Sequence, residues 1–161
     1  LSKIHAFRRN NQLAKNAAKD DKLVKVEFHI PVGRQVNFSM RSQDVIHSAF
    51  MPHFRAQMNC VPGMITQFAF TPSVTTEDMR LDDDVIGKVS RINTIRRKNS
   101  LELAAKGEEA LEPYEFDYLL LCNKICGTNH YNMQMKIIVE TQQQYDAWIA
   151  QQATIATSLN K

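Results

Sequence analysis

The chain has 161 residues, enough for one domain with its own core, and 20 basic against 17 acidic residues leave a formal charge of +3. With 43% hydrophobic residues, five glycines and five prolines it is neither collagen-like nor low-complexity, and three cysteines are too few for a disulfide framework. The mixed charge does not mark a nucleic-acid binder, no apolar run approaches the roughly 20 residues of a spanning helix, and the start does not read as a signal peptide.

In chain order, residues 1–22 carry Lys3, Arg8, Arg9, Lys15, Lys19 and Lys22 among Asn and Gln, which predicts a solvated basic lead-in. Val24, Val26, Phe28 and Ile30 alternate with charged or polar residues, the period of a half-buried strand. Pro31 and Gly33 punctuate it, and Val36, Phe38 and Met40 then read as the hairpin partner. An irregular stretch with Pro52, Pro62 and Gly63 leads to a further strand over 64–70. Residues 80–113 change character. Asp82, Asp83 and Asp84 precede a basic run (Arg91, Arg96, Arg97, Lys98) and an Ala/Glu/Leu-rich piece, which predicts a charged, partly helical insertion with a solvated face.

Strand texture returns over 114–121 and 135–140. Thr141 and Gln144 have capping-box spacing, so a helix follows, with Tyr145, Trp148 and Ile149 on one apolar stripe and Trp148 as a core anchor. The sum predicts an all-β fold, an antiparallel β-sandwich with a late helix.

The chemistry sits in one stretch. Cys122, Cys126, His130 and Met133 form C-x3-C-x3-H-x2-M, four soft or borderline donors within twelve residues between two strands. Thiolate and thioether together select copper, and imidazole is compatible with it, whereas structural zinc sites use Cys and His without thioether. Taken singly, each has a structural reading: two buried thiols, a loop histidine, a strand methionine. All four at this spacing make coincidence a poor explanation. The remaining histidines, His5, His29, His47 and His53, are the candidates for a further ligand.

This stretch resembles the copper loop of cytochrome c oxidase subunit II, which carries the binuclear CuA centre on a cupredoxin domain. Upstream, Asp44-Val-Ile-His47-Ser48 resembles the D-V-x-H-S of that family, and Pro52, Phe54 and Val61-Pro62-Gly63 resemble the elements that follow it. Ile-Ile-Val-Glu at 137–140 matches as well, so the resemblance spans about residues 24–72 and 114–152. It implies a cupredoxin-like Greek-key β-sandwich over 23–153, with the insertion at about 80–113 and a tail at 154–161. It also implies that Cys122 and Cys126 bridge two coppers. His47 and Met133 would complete one copper, and His130 with the main-chain carbonyl of Lys124 the other. A cage of this kind, pinned between two distant loops, is expected to be buried.

The resemblance further implies an electron-transfer subunit of a haem-copper oxidase on the periplasmic face of a bacterial inner membrane. It would take electrons from cytochrome c or another c-type donor and pass them to haem in subunit I, with oxygen reduced to water by the whole enzyme. The membrane anchor and the aromatic strand of that family are not seen in these residues, so either the chain is a fragment or both are supplied elsewhere. Lys124 stands where the family has glutamate, and an ammonium cannot ligate the magnesium bound there, so that ion is expected to be absent or bound differently. Nitrous-oxide reductase is a poorer match, because it places tryptophan between the cysteines. Cys60 reads as a buried thiol. The alternative function is a copper-binding module, carrier or sensor, without an oxidase partner; a zinc-stabilised structural domain is a third.

Overall fold

The computed structural model describes residues 4–6 and 20–159, so most of the basic lead-in lies outside the described residues. Ten short segments frame the site: strands β1 (Ile4–Ala6), β2 (Lys22–Val24), β3 (Glu27–Pro31), β4 (Val36–Met40), β5 (His47–Met51), β6 (Ala56–Cys60), β7 (Thr66–Phe70), β8 (Tyr118–Leu121) and β9 (Gln134–Glu140), and helix α3 (Gln142–Gln151). Between β7 and β8 lie α1 (Thr76–Arg80) and the long α2 (Asp83–Ala104), and α4 (Ile155–Leu159) stands in the stretch expected to be tail.

The larger sheet has the order β3-β9-β8-β5-β6, and β4 pairs with β7 in a second sheet. Phe28, Ile30, Met51, Tyr118, Ile137 and Val139 form the buried cluster between the layers, and Val36, Phe38, Phe68 and Phe70 of the smaller sheet pack against it. Ile137 and Val139 are almost fully buried, and each such side chain contributes about 1.5–3 kcal/mol relative to an exposed one. Phe54 joins the layers, its ring 4.6 Å from both Phe70 and Tyr118.

The expected hairpin of β3 with β4 does not form. β3 pairs parallel with β9, with Phe28 opposite Ile137 and Ile30 opposite Val139, so the sheet is mixed rather than antiparallel. Gly33, at φ +72°, turns the chain across to the other layer, where its N–H donates to the Pro72 carbonyl at 2.8 Å. Alternation shows that one face of a strand is buried. It does not show which strand lies alongside. The first strand is also interrupted: a bend at Lys25 and Val26 separates β2 from β3 and leaves Val26 76% exposed.

The stretch read as irregular holds the β5–β6 hairpin, with Met51 opposite Ala56 and His47 opposite Cys60. A 3₁₀ turn at Pro52–Phe54 and the left-handed Arg55 (φ 52°) close it. Ser48 and Ala49 are both buried, which breaks the period-2 signal in β5. Cys60 is half-buried rather than buried, and burial pushes its thiol pKa up.

The insertion is more helical than its composition suggests. Asp82 caps α2 by accepting from the Asp84 and Val85 N–H groups, and Asp83 and Asp84 add negative charge where the helix dipole favours it. None of its residues is fully buried, as a solvated charged face requires. The chain returns along this helix in extended form. Asn93 both accepts from the Tyr114 N–H and donates to its carbonyl, Arg96 donates to the Glu112 carbonyl, and Ser100 accepts from the Leu111 N–H. These bonds satisfy backbone groups that would otherwise seek a ladder, so β8 begins at Tyr118 instead of residue 114. At its root, buried Asp117 is held by Arg80 at 2.9 Å and Lys136 at 2.6 Å.

The capping box at the late helix is present: Thr141 accepts from the Gln144 N–H and the Gln144 side chain accepts from the Thr141 N–H. Tyr145 is buried, and Trp148 stacks on His29 at 4.2 Å.

Candidate metal centre

Both strands that carry the proposed ligands end at one pole of the sandwich. His47 opens β5, and Cys122 follows β8, which pairs with β5 through Phe50 and Leu121. The Cys122 N–H donates to the Met133 carbonyl at 3.0 Å, so the loop between β8 and β9 closes on itself as it leaves the sheet. A 3₁₀ turn over His130–Asn132 folds the second half of that loop back toward the cysteines.

The side chains converge. His47, Cys122 and Cys126 each offer one ligand atom, and these lie within 4.8 Å of one another. The two sulfurs are 3.7 Å apart, well beyond disulfide length, and both cysteines are free. On the Cys122 side stand His47 Nδ1 at 3.9 Å and the Lys124 carbonyl at 3.3 Å. On the Cys126 side stand His130 Nδ1 at 3.4 Å and Met133 Sδ at 3.3 Å. Each of the other four residues singled out in the sequence thus stands 3.9 Å or less from one of the two sulfurs, across a chain separation of 75 residues between His47 and Cys122.

The electrostatics suit a cation. Burial pushes the Cys122 thiol up, but backbone hydrogen bonds at Lys124 and Ser48, with His47 and Cys126, outweigh it and bring the pKa down to about 6. Burial and the neighbouring Cys122 raise Cys126. Burial lowers His47, yet its hydrogen bonds to Asp44 and Cys122 leave it raised overall. Asp44 is held down at about 2, first by its hydrogen bond to His47 and then by the Val45 backbone. A thiol drawn toward its thiolate beside an imidazole suits a soft metal ion, which binds the thiolate and displaces its proton. The donor set of two thiols, two imidazoles, a thioether and a carbonyl fits copper in particular, since thioether is foreign to structural zinc sites.

The expected burial of this cage is not observed. The side-chain donors are half-buried, Lys124 is exposed, and Ile125 (94% exposed) and Tyr131 (85% exposed) stand beside them in the loop. Among the described residues, Ser42 was not marked by the sequence reading, although its hydroxyl donates to Asp44 at 3.2 Å. The S-x-D spacing is the signal that could have found it.

Residues 8–80 match the family model for the cytochrome c oxidase subunit II periplasmic domain. The alternative cytochrome c oxidase subunit 2 of Bradyrhizobium diazoefficiens is 32% identical over 130 residues, covering 81% of this chain and 32% of that protein. The chain belongs to the cytochrome c oxidase subunit II family. Cytochrome c oxidase subunit 2 of Thermostichus vulcanus is 26% identical over 140 residues, covering 86% of this chain and 30% of that protein. The chain thus spans about a third of the length of these curated relatives. In fold it is similar to the crystal structure of the periplasmic domain of subunit II (CoxB) of Bradyrhizobium japonicum, with a TM-score of 0.51 at 17% identity, covering 80% of this chain and 64% of that one. The cupredoxin-like sandwich read from the sequence is the observed architecture of this subunit II domain. The matched residues end with α1, so both the long helix α2 and the thiol loop lie beyond them. No helix among the described residues is long and apolar enough to cross a membrane.

Proposed function

We propose that the converged donors hold a binuclear copper centre and that the chain is an electron-transfer domain of a haem-copper oxidase. Cys122 and Cys126 would bridge the two ions. His47 and Met133 would complete one, and His130 with the Lys124 carbonyl the other. Each ion would lie against both sulfurs, so closeness of a donor to one sulfur does not by itself assign it to one ion. A thiolate-bridged copper pair supplies one-electron exchange with little ligand movement.

The residues of the chain account for the rest. The β5–β8 ladder holds His47 against the thiol loop, and the turn over His130–Asn132 sets His130 and Met133. With these donors completing both ions, none of the protein positions would be left for a substrate, and the site would relay charge. Half-exposure of the donors places them close to the surface that a partner must approach. In this reading a c-type cytochrome is the donor, haem in subunit I the acceptor, and the periplasmic face of an inner membrane the location. An ammonium at Lys124 removes a carboxylate from the expected magnesium site, so that ion would be absent or held by other groups.

The single observation that carries the proposal is the thiol pair at 3.7 Å flanked by an imidazole Nδ1 on either side. Copper reconstitution of the reduced protein tests it. Two coppers per chain, a purple colour and a seven-line hyperfine pattern are expected. One copper with four lines would point to a mononuclear cupredoxin, and a colourless zinc protein would end the redox reading. Half-exposed ligands also suit a copper carrier. Rapid loss of copper to a chelator would favour that role over a resident centre.

A further inference from the structure

His47 is gripped from behind. Its Nδ1 faces the Cys122 sulfur, while its Nε2 lies 2.8 Å from Asp44 Oδ1. A carboxylate only accepts, so a neutral His47 must carry its proton on Nε2 and leave the Nδ1 lone pair directed at the metal position. Asp44 is itself fixed. The Ser42 hydroxyl lies 3.2 Å from it and shares its one proton between Asp44 and the closer Val45 carbonyl, and Ser42 bridges to Pro62 beside the β6–β7 turn. The other imidazole is held differently. His130 Nδ1 faces Cys126, and among the described residues no carboxylate partners the His130 ring.

Resting on the metal-centre reading above, we infer that Asp44 is a positioning residue for that centre, locking the His47 tautomer and placing negative charge behind one of the two imidazoles only. Outer carboxylates of this kind orient metal-bound histidines and raise their basicity. The charge favours the more oxidised state on the His47 side, so the two halves of the centre are electronically unequal. Asp44 is 63% exposed, so water and salt screen its charge and the effect is modest.

The experiment uses Asp44→Asn, which removes the charge but keeps an acceptor, and Asp44→Ala, which removes both. In the metal-free protein, ¹⁵N spectra at a pH where the ring is neutral should show His47 as a single Nε2–H tautomer. Asp44→Ala should give a mixture, with thermal unfolding unchanged. In the copper-loaded protein, Asp44→Asn should shift the electron-exchange equilibrium with a fixed redox dye toward the reduced centre by about three- to tenfold. At ~59 mV per tenfold for one electron, that is a rise of ~30–60 mV. Paramagnetic shifts at the His47 ring should change more than those at His130. Mixed tautomers in the unsubstituted protein, or an Asp44→Asn dye equilibrium within twofold of the unsubstituted one, would overturn the inference. If no copper pair forms, the function proposed above fails, but the tautomer spectra still decide whether Asp44 positions His47.

Discussion

In the proposed centre Met133 would be the weakest donor, a thioether 3.3 Å from the Cys126 sulfur, and its replacement is the mildest perturbation available there. Met133→Leu conserves volume, so copper should remain bound, with its potential raised because one electron-donating contact with the oxidised form is lost. Metal analysis with redox titration checks this; complete loss of copper would show the thioether to be essential. Cys122→Ser is the severe counterpart. It removes a shared sulfur and should abolish the mixed-valence spectrum, and survival of that spectrum would contradict a bridging role. Away from the centre, His53 sits edge-on to Phe116 and Tyr118, at 5.1 and 5.6 Å, and burial followed by Lys88 lowers its pKa from the usual 6.5. A histidine lowered in the fold is stabilising above the unfolded value. That contribution is lost as pH falls from about 6.5 through the folded value, because the unfolded chain binds the proton first. His53→Gln should therefore flatten the pH dependence of stability in that window, as measured by denaturant titration at several pH values. At this scale the sequence was most informative: the donors and Asp44 are visible as residue types at telling spacings. The grip of Ser42 on Asp44 depends on how the loop folds, and the half-exposure of the donors depends on what packs above them.

The helical insertion shows how an element is held without a buried face. Asn93 joins both backbone groups of Tyr114, at 2.7 Å for the N–H and 3.0 Å for the carbonyl, and so anchors the extended return segment. Asn93→Ala leaves both groups without a protein partner and should cost about 1–3 kcal/mol. Faster amide exchange at Tyr114 should report it, while the copper spectrum stays unchanged because β8 is held separately by β5 and β9. Unchanged exchange would mean the segment is fixed by other contacts. The capping box at Thr141 was legible because it is a local pattern, four consecutive residues whose bonds involve nothing else. The β5–β6 hairpin was not, because Ser48 and Ala49 are both buried and β6 is built from Ala, Gln, Met, Asn and Cys, which carry little strand signal. The β3–β4 pairing was misread for a related reason. Both strands alternate, and each buries its inward face, but against opposite layers.

Over the whole molecule, the proposed centre would tie the start of β5 to the loop after β8, two places far apart along the chain. Binding of copper to the native fold should raise the unfolding midpoint, by about 2.7 kcal/mol of stability at a free concentration of 100 times Kd. Thermal melts with and without copper under reducing conditions check this, and His47→Ala should lose much of the gain. An unchanged midpoint with copper bound would show that the loops are already fixed without it. The sequence by itself determined the candidate donors, the residues that face inward in most strands, the helix cap and the existence of an insertion. Each of these is written in residue types and short-range periods. Only the tertiary structure decided which layer each strand joins, that β3 runs parallel to β9, and that His47 stands 3.9 Å from a thiol 75 residues away. Period-2 patterning reports a buried face and is blind to the neighbour across it. The choice of neighbour is made by packing of distant side chains, and that same packing assembles the centre.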